Sequence, residues 1–129
     1  MDVIEKVILK WQLEIRKGFA KPLILALLEE SSNYPYNLTR EISARTKGQI
    51  LIAGSNIYPI LKNLQDDGLI LGQRSNQLAE GDLGKSKGPT RTIYSLTELG
   101  KEVLNDLRKS MTDFITIIRP FIMESGEVK

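Results

Sequence analysis

The chain has 129 residues, of which 41% are hydrophobic and 26% are charged, so we expect one globular domain that buries a core without disulfides. It contains no cysteine and no histidine, which excludes zinc fingers, iron–sulfur clusters, haem–histidine sites, cysteine nucleophiles and Ser-His-Asp triads. The sequence also has no glycine fingerprint for phosphate or dinucleotide binding. We therefore expect no metal, no cofactor and no enzymatic activity.

The apolar residues do not form a membrane segment. The longest continuous apolar run covers residues 23–28 and is far too short to cross a bilayer. The first residues alternate charged and apolar side chains, which is not the order of a signal peptide. We expect a cytoplasmic protein that does not bind a membrane.

The formal net charge of +2 is small, and the distribution of charge is more informative than its size. Residues 31–64 hold a surplus of three basic side chains, whereas basic and acidic residues nearly cancel elsewhere. A nucleic-acid-binding surface built from the middle of the chain would need this positive charge.

Two helices are predicted at the start of the chain. Apolar residues at helical spacing, with charges between them, indicate an amphipathic helix over residues 1–17. Gly18 interrupts it, and Pro22 stands where a second helix can begin. The residues that follow Pro22 are apolar nearly all round, which places the second helix at the centre of the core.

A third and a fourth helix are predicted to follow. The third starts at about Asn37 or Thr39. After a connection, Ser55 is a good N-cap for the fourth helix. Because proline is tolerated only near a helix start, Pro59 sets that start at about Ser55 or Asn56. The buried stripe of this helix contains Ile57, Ile60, Leu61 and Leu64.

The periodicity then changes from helix to strand. Residues 69–73 and 90–96 are predicted strands, and the polar segment 75–89 between them forms the tip of a β-hairpin. Thr97 opens the last helix, in which apolar residues recur at heptad spacing. Pro120 should bend or end this helix.

Three helices followed by a two-stranded hairpin is the order of elements in a winged helix. We therefore predict a mainly α fold with a small β-hairpin, a winged helix–turn–helix with N- and C-terminal dimerisation helices. The winged-helix domain would cover residues 19–96, between the helix over 1–17 and the C-terminal helix over 97–123, with a flexible tail over 124–129.

Several motifs resemble the PadR family of transcriptional regulators, in particular its small members with one C-terminal helix. The matches are Tyr36 in the turn before the supporting helix, Ile-Tyr-Pro-Ile-Leu at 57–61, Gly-Leu-Ile at 68–70, Gly-Pro-Thr-Arg at 88–91 and Leu-Thr-Glu-Leu-Gly at 96–100. The resemblance covers roughly residues 19–105. One departure is that Tyr34 and Pro35 replace the usual histidine and glycine before the tyrosine.

The resemblance implies that the fourth helix is a recognition helix in a DNA major groove, with the hairpin as a wing beside it. Asparagine can bond base edges, notably of adenine, whereas tyrosine hydroxyls and lysine ammonium groups suit phosphates. The expected DNA-binding residues are Tyr36, Asn37, Thr39, Arg40, Ser55, Asn56, Tyr58, Lys62, Asn63, Lys85, Lys87 and Arg91.

Some of these residues have a structural alternative. Tyr58 either contacts DNA or packs its ring against the turn. Asn37 and Thr39 either position a phosphate or cap the third helix. Lys85 and Lys87 either reach the DNA from the wing or only solubilise the loop. The outer face of the fourth helix either binds DNA or is only exposed to solvent.

The last helix is longer than a domain of this size can cover, so its seam would expose a large apolar patch. A two-fold dimer in which the first helix helps to cover the seam removes that patch. Close to the winged domain, Leu99 and Val103 should pack against the core of their own chain. The expected interface residues are Ile4, Ile8, Trp11, Ile15, Leu104, Leu107, Met111, Phe114, Ile118 and Phe121. Trp11 is expected in the dimer core. Some members of the family that the chain resembles have an aromatic-lined cavity at the dimer interface, so the alternative is that Trp11 contacts a small apolar effector.

We therefore expect a homodimeric regulator that binds a pseudo-palindromic operator in double-stranded DNA, with repression by promoter occupancy implied by the resemblance. The alternative is a winged-helix protein–protein interaction adaptor without specific DNA binding, because a fold does not fix a function.

Overall fold

The structure, a computed structural model, describes residues 1–75 and 91–123. Within these ranges the chain forms five helices and one antiparallel pair of strands, which confirms the predicted mainly α fold with a small hairpin. The elements are α1 (Val3–Lys17), α2 (Ala20–Glu30), α3 (Pro35–Arg45), α4 (Gly54–Asp66), β1 (Ile70–Ser75), β2 (Arg91–Leu96) and α5 (Glu98–Ile122). The proposed tail over 124–129 and most of the predicted hairpin tip lie outside the described residues.

Helix α2 lies at the centre of the core, as its apolar sequence predicts. Its side chains are buried on several sides, where they meet α3, β2 and α5. Helix α4 packs against α3 and β1, and so covers the core with one face only. The core consists of Ile24, Leu25, Leu27, Leu28, Leu38, Ile42, Ile57, Leu61, Leu64, Ile70 and Leu104.

Three helices begin earlier than predicted. Helix α2 starts at Ala20, and Pro22 fits within its first turn, where backbone N–H groups have no intrahelical partner. Helix α3 starts at Pro35, so neither Asn37 nor Thr39 caps it. Proline at the first helical position has a suitable φ and loses no hydrogen bond.

Helix α4 also departs from the prediction at its start. Its N-cap is Ala53, which offers no side-chain bond, and Ser55 is the second residue of the helix. Pro59 lies inside the helix, where it removes the bond that the carbonyl of Ser55 would accept. Because Ser55 and Pro59 are both exposed, water can satisfy that carbonyl. The N-cap prediction for Ser55 is therefore wrong.

The hairpin is held along both of its edges. Gly72 pairs with Tyr94 across the two strands. The N–H of Gly72 points away from β2 and donates to Oε1 of Gln65 on α4 at 2.8 Å. On the opposite edge, Tyr94 and Asn33 exchange two backbone hydrogen bonds at 2.8 and 3.0 Å. These bonds fix the hairpin between α4 and the segment that precedes α3.

The start of α5 is packed tightly against the end of α4. Thr97 caps α5 as predicted, since its hydroxyl oxygen accepts from the N–H of Gly100 at 3.0 Å. The same hydroxyl donates to the carbonyl of Gly68 at 2.7 Å. A β-carbon at Gly100 would lie 2.2 Å from the carbonyl oxygen of Leu69. Only glycine fits at this crossing, which gives a physical reason for the Leu-Thr-x-x-Gly motif.

The outer helices expose much apolar surface. Helix α1 has no buried residue, and the buried residues of α5 are Gly100 and Leu104 in its first two turns. Leu104, predicted at the dimer interface, is 2% exposed and belongs to the core of its own chain. Conversely, Leu99 and Val103 are 47% and 36% exposed, so their predicted packing in that core is wrong. Helix α5 continues past Pro120 for two residues.

No helix in the ranges 1–75 and 91–123 is both long enough and apolar enough to cross a membrane.

We predict that Gly100→Ala destabilises the protein by about 1–3 kcal/mol, because the methyl group forces α5 away from the backbone at Leu69. Gly18→Ala is the matched control. Its β-carbon meets only a carbonyl oxygen at 3.6 Å and its φ is an ordinary −69°, so a neutral or slightly stabilising effect is expected. Urea unfolding followed by circular dichroism measures both changes, and equal stability of the two variants would contradict the close approach.

Candidate nucleic-acid interface

The outward face of α4 is polar. At 3.6 residues per turn, the buried stripe of this helix leaves the opposite side free, and Ser55 and Lys62 lie near its middle. Asn56 and Asn63 lie on the flank that faces α2, and Tyr58 on the flank that faces the hairpin. All five side chains predicted on this helix to bind DNA are exposed.

Two of these side chains have partners within the protein. The ammonium of Lys62 pairs with Asp66 at 2.9 Å, one turn further along α4. Asn63 Oδ1 accepts a hydrogen bond from Nζ of Lys21 at 2.6 Å, which joins α2 to α4. Lys21 is not among the residues predicted to bind DNA, because no local pattern connects two residues that are 42 positions apart.

Tyr58 lies beside the hairpin but is not packed into it. Its side chain is 60% exposed, which favours a surface role over the packing alternative. The nearby Tyr94 is half-buried; burial raises the pKa of its phenol, and the proximity of Tyr58 raises this pKa further. Tyr58 thus presents a hydroxyl group and an aromatic ring at the boundary between α4 and the hairpin.

The first two turns of α3 carry an exposed aromatic residue and an exposed cation. The Tyr36 side chain is exposed, and the guanidinium of Arg40 lies 5.6 Å from the centre of its ring. The hydroxyl of Thr39 donates to the carbonyl of Tyr36 at 2.7 Å, so its proton is already used. Asn37 is half-buried. Of the residues predicted here, Tyr36 and Arg40 are therefore the most accessible.

The first residue of β2 lies close to the start of α3. The guanidinium of Arg91 is 5.5 Å from the centre of the Tyr34 ring, which is a cation–π distance. The contact places the charge of Arg91 beside the start of α3, at the end of the strand pair where Arg91 is opposite Ser75. Lys85 and Lys87, also predicted to bind DNA, lie outside the described residues.

Arg45 is also one of the basic residues in the segment 31–64, but its guanidinium forms ion pairs with two carboxylates of the protein. It makes two hydrogen bonds of 2.7 Å to Glu30 on α2 and one of 3.1 Å to Glu41. These groups, together with Asn37 and Arg40, line a cleft of about 260 Å³ between α2 and α3. The hydrogen bonds from Arg45 lower the pKa of Glu30. Arg45 therefore fixes α3 on α2 and is not available to a ligand.

No group of three or more acidic side chains that could hold a metal ion occurs among the residues that the structure describes.

We predict that the Arg45–Glu30 pair makes a pH-dependent contribution to stability. The pKa of Glu30 is lower in the folded chain than its ordinary value of 4.5, so the contribution is present above that value and is lost as the pH falls through the folded value. The Tm difference between the wild type and Arg45→Gln should therefore be measurable at neutral pH and shrink below about pH 4. Arg40→Gln is the control, because Arg40 pairs with a ring rather than a carboxylate. A difference for Arg45→Gln that does not change with pH would contradict the prediction.

Comparison with known proteins identifies similar chains. The family model described as the transcriptional regulator PadR-like family matches residues 24–106. An uncharacterized protein of Lysinibacillus sphaericus is 30% identical over 109 residues, which cover 84% of this chain and 93% of that protein.

Solved structures with the same fold include a PadR family transcriptional regulator from Eggerthella lenta, with a TM-score of 0.78, 21% identity and coverage of 95% of this chain and 97% of the other. A PadR-like transcriptional regulator from Bacillus cereus has a TM-score of 0.68 and 23% identity, with coverage of 87% and 99%. The winged-helix prediction is thereby confirmed.

Proposed function

The chain belongs to the PadR-like family of transcriptional regulators, and we propose that it acts as a homodimer that binds a specific double-stranded DNA operator and represses transcription by occupying a promoter. Helix α4 would enter the major groove, and the hairpin would lie beside it as a wing. A regulator of this kind works on DNA in the cytoplasm.

The observation that carries this proposal is a set of exposed groups with the chemistry that DNA requires. It combines the exposed amides, hydroxyls and ammonium of α4 with Arg40 and Arg91. Both guanidinium groups lie over tyrosine rings, and neither pairs with a carboxylate in the part of the chain that the structure describes. Their positive charge is therefore available to phosphate oxygens.

The proposed dimer follows from the exposed apolar surface of α1 and α5. Ile4, Trp11 and Ile15 on α1 are each more than half exposed, as are Phe114 and Phe121 on α5 at 56% and 81%. A monomer that exposes this many large apolar side chains is unfavourable in water. Two-fold pairing of these helices buries the surface and gives the dimer two copies of α4, which suit a pseudo-palindromic operator. An effector at this interface would act by changing the spacing of the two copies.

We predict that Lys62→Ala and Arg91→Ala each weaken binding to duplex DNA by roughly tenfold, through the loss of a phosphate contact. Each should also make the dependence of log K on log salt shallower by about one. Fluorescence anisotropy of a labelled duplex from the upstream region of the protein's own gene, beside a scrambled duplex, measures both quantities.

Lys101→Ala is the matched control for Lys62→Ala. Lys101 is also an exposed helical lysine that pairs with a carboxylate, Glu98, at 3.1 Å, but it lies at the start of α5. Its substitution should leave affinity and salt dependence unchanged. If Lys62→Ala and Arg91→Ala behave like Lys101→Ala, these two residues do not belong to the DNA surface. Weak wild-type binding to every duplex selected from random DNA would favour the adaptor function.

We predict that Phe114→Glu produces monomers, because it places a charge in the proposed interface, and that DNA affinity falls with dimerisation. Light scattering measures the molar mass. Thr116→Glu adds the same charge to an exposed position on the opposite side of α5 and should leave a dimer. A dimer that persists in Phe114→Glu would mean that the interface is assigned to the wrong face.

A further inference from the structure

Helix α4 carries two exposed asparagines on the same flank. Asn56 is its third residue, and Asn63 follows seven positions later, which is almost two complete turns. The two side chains are chemically identical and point in nearly the same direction. From the sequence alone, either could read a base.

The two carboxamides differ in their hydrogen bonds. Asn63 Oδ1 accepts from the Lys21 ammonium at 2.6 Å, a short charge-assisted bond. The carboxamide of Asn56 makes no hydrogen bond within residues 1–75 and 91–123, and its oxygen and nitrogen are both free to bind a ligand.

This difference decides which asparagine can recognise adenine. Bidentate recognition needs the amide oxygen to accept from N6 and the amide nitrogen to donate to N7. At Asn63, one lone pair of the amide oxygen is already used by a cationic donor, so the amino group of adenine would have to bind the remaining lone pair directly beside the Lys21 ammonium, which repels it. At Asn56 both atoms are available, and the N-terminal end of a recognition helix is the part that contacts base edges.

The pair formed by Lys21 and Asn63 presents mainly hydrogen-bond donors to the outside, because one of the two lone pairs of Asn63 Oδ1 is used within the pair. The ammonium keeps further N–H groups, and the Asn63 amide presents its NH₂. A cluster that offers positive charge and more donors than acceptors matches a phosphate oxygen. Lys21 thus adds a contact from α2 that lies outside the recognition helix.

On the basis of the proposed function, we propose that α4 uses its two asparagines for different tasks: Asn56 reads an adenine, and Asn63, whose carbonyl oxygen is held by Lys21, binds a phosphate together with Lys21. Sequence specificity and sequence-independent affinity then reside in separate residues of the same flank.

The test begins with selection by the wild-type protein from a duplex pool randomised over about three helical turns. Affinities are then measured for the selected duplex, for duplexes with each base pair changed, and for a scrambled duplex. Asn56→Ala should lose about tenfold in affinity for the selected duplex and lose its preference at one A·T pair in each half-site. Its affinity for the scrambled duplex should not change. Replacing the adenine of that pair with 7-deazaadenine should weaken the wild type and leave Asn56→Ala unaffected.

Lys21→Ala and Asn63→Ala should behave in the opposite way. Each should weaken binding to the selected and scrambled duplexes by the same factor and keep the full base preference. For Lys21→Ala the salt dependence should become shallower by about one. All three substituted residues are exposed, and circular dichroism establishes that each variant is folded.

The outcomes separate this inference from the proposed function. A wild-type protein that enriches no sequence overturns the proposed function and this inference with it. A wild-type protein that selects a sequence, with loss of a base preference in Asn63→Ala or an unchanged preference in Asn56→Ala, overturns only the assignment of the two asparagines. Unchanged binding to both duplexes in Lys21→Ala overturns the phosphate contact.

Discussion

The arrangement of the whole domain depends on the burial of α2. Because this helix is apolar on nearly every side, it must be covered by several elements at once, and α3, β2 and α5 pack around it. Helix α4 completes the core through α3 and β1, with a single apolar stripe. Among residues 1–75 and 91–123, no helix or strand packs on its other side, and this polar face is the one that the proposed function uses.

Four of the arginines divide into two groups by what they contact. Arg45 and Arg108 bind the carboxylates of Glu30 and Glu29, so they fasten α3 and α5 to the end of α2 and neutralise charge. Arg40 and Arg91 lie over tyrosine rings, where an aromatic face orients the guanidinium without cancelling its charge. The first group links helices within the fold, and the second keeps its positive charge exposed. The small net charge of the chain therefore understates the charge that this surface presents.

The sequence predicts those features that local chemistry determines. The apolar composition of α2 predicts its central position, and the hydroxyl of Thr97 predicts the cap of α5. The change from helical to strand periodicity predicts the hairpin. The start of α4 could not be predicted in this way, since its N-cap is Ala53, whose side chain cannot accept a capping hydrogen bond and gives no signal in the sequence. Heptad spacing located the apolar seam of α5, but Leu104 shows that only tertiary contacts decide which side faces the chain's own core. The bond between Lys21 and Asn63 depends on the fold and has no local signal, whereas the DNA and dimer contacts stay predictions.

Contacts of α2 link the two proposed interfaces, the dimer interface and the DNA-binding surface. The root of α5 is fixed to α2 by Leu104 in the core and by the pairing of Arg108 with Glu29. At the other end of α2, Lys21 is bonded to Asn63 on α4. In the proposed dimer, α2 is therefore a rigid element between the dimer helix and the recognition helix. Because packed helices do not deform continuously, a shift of α5 at the interface would move α4 with it rather than be absorbed by the core.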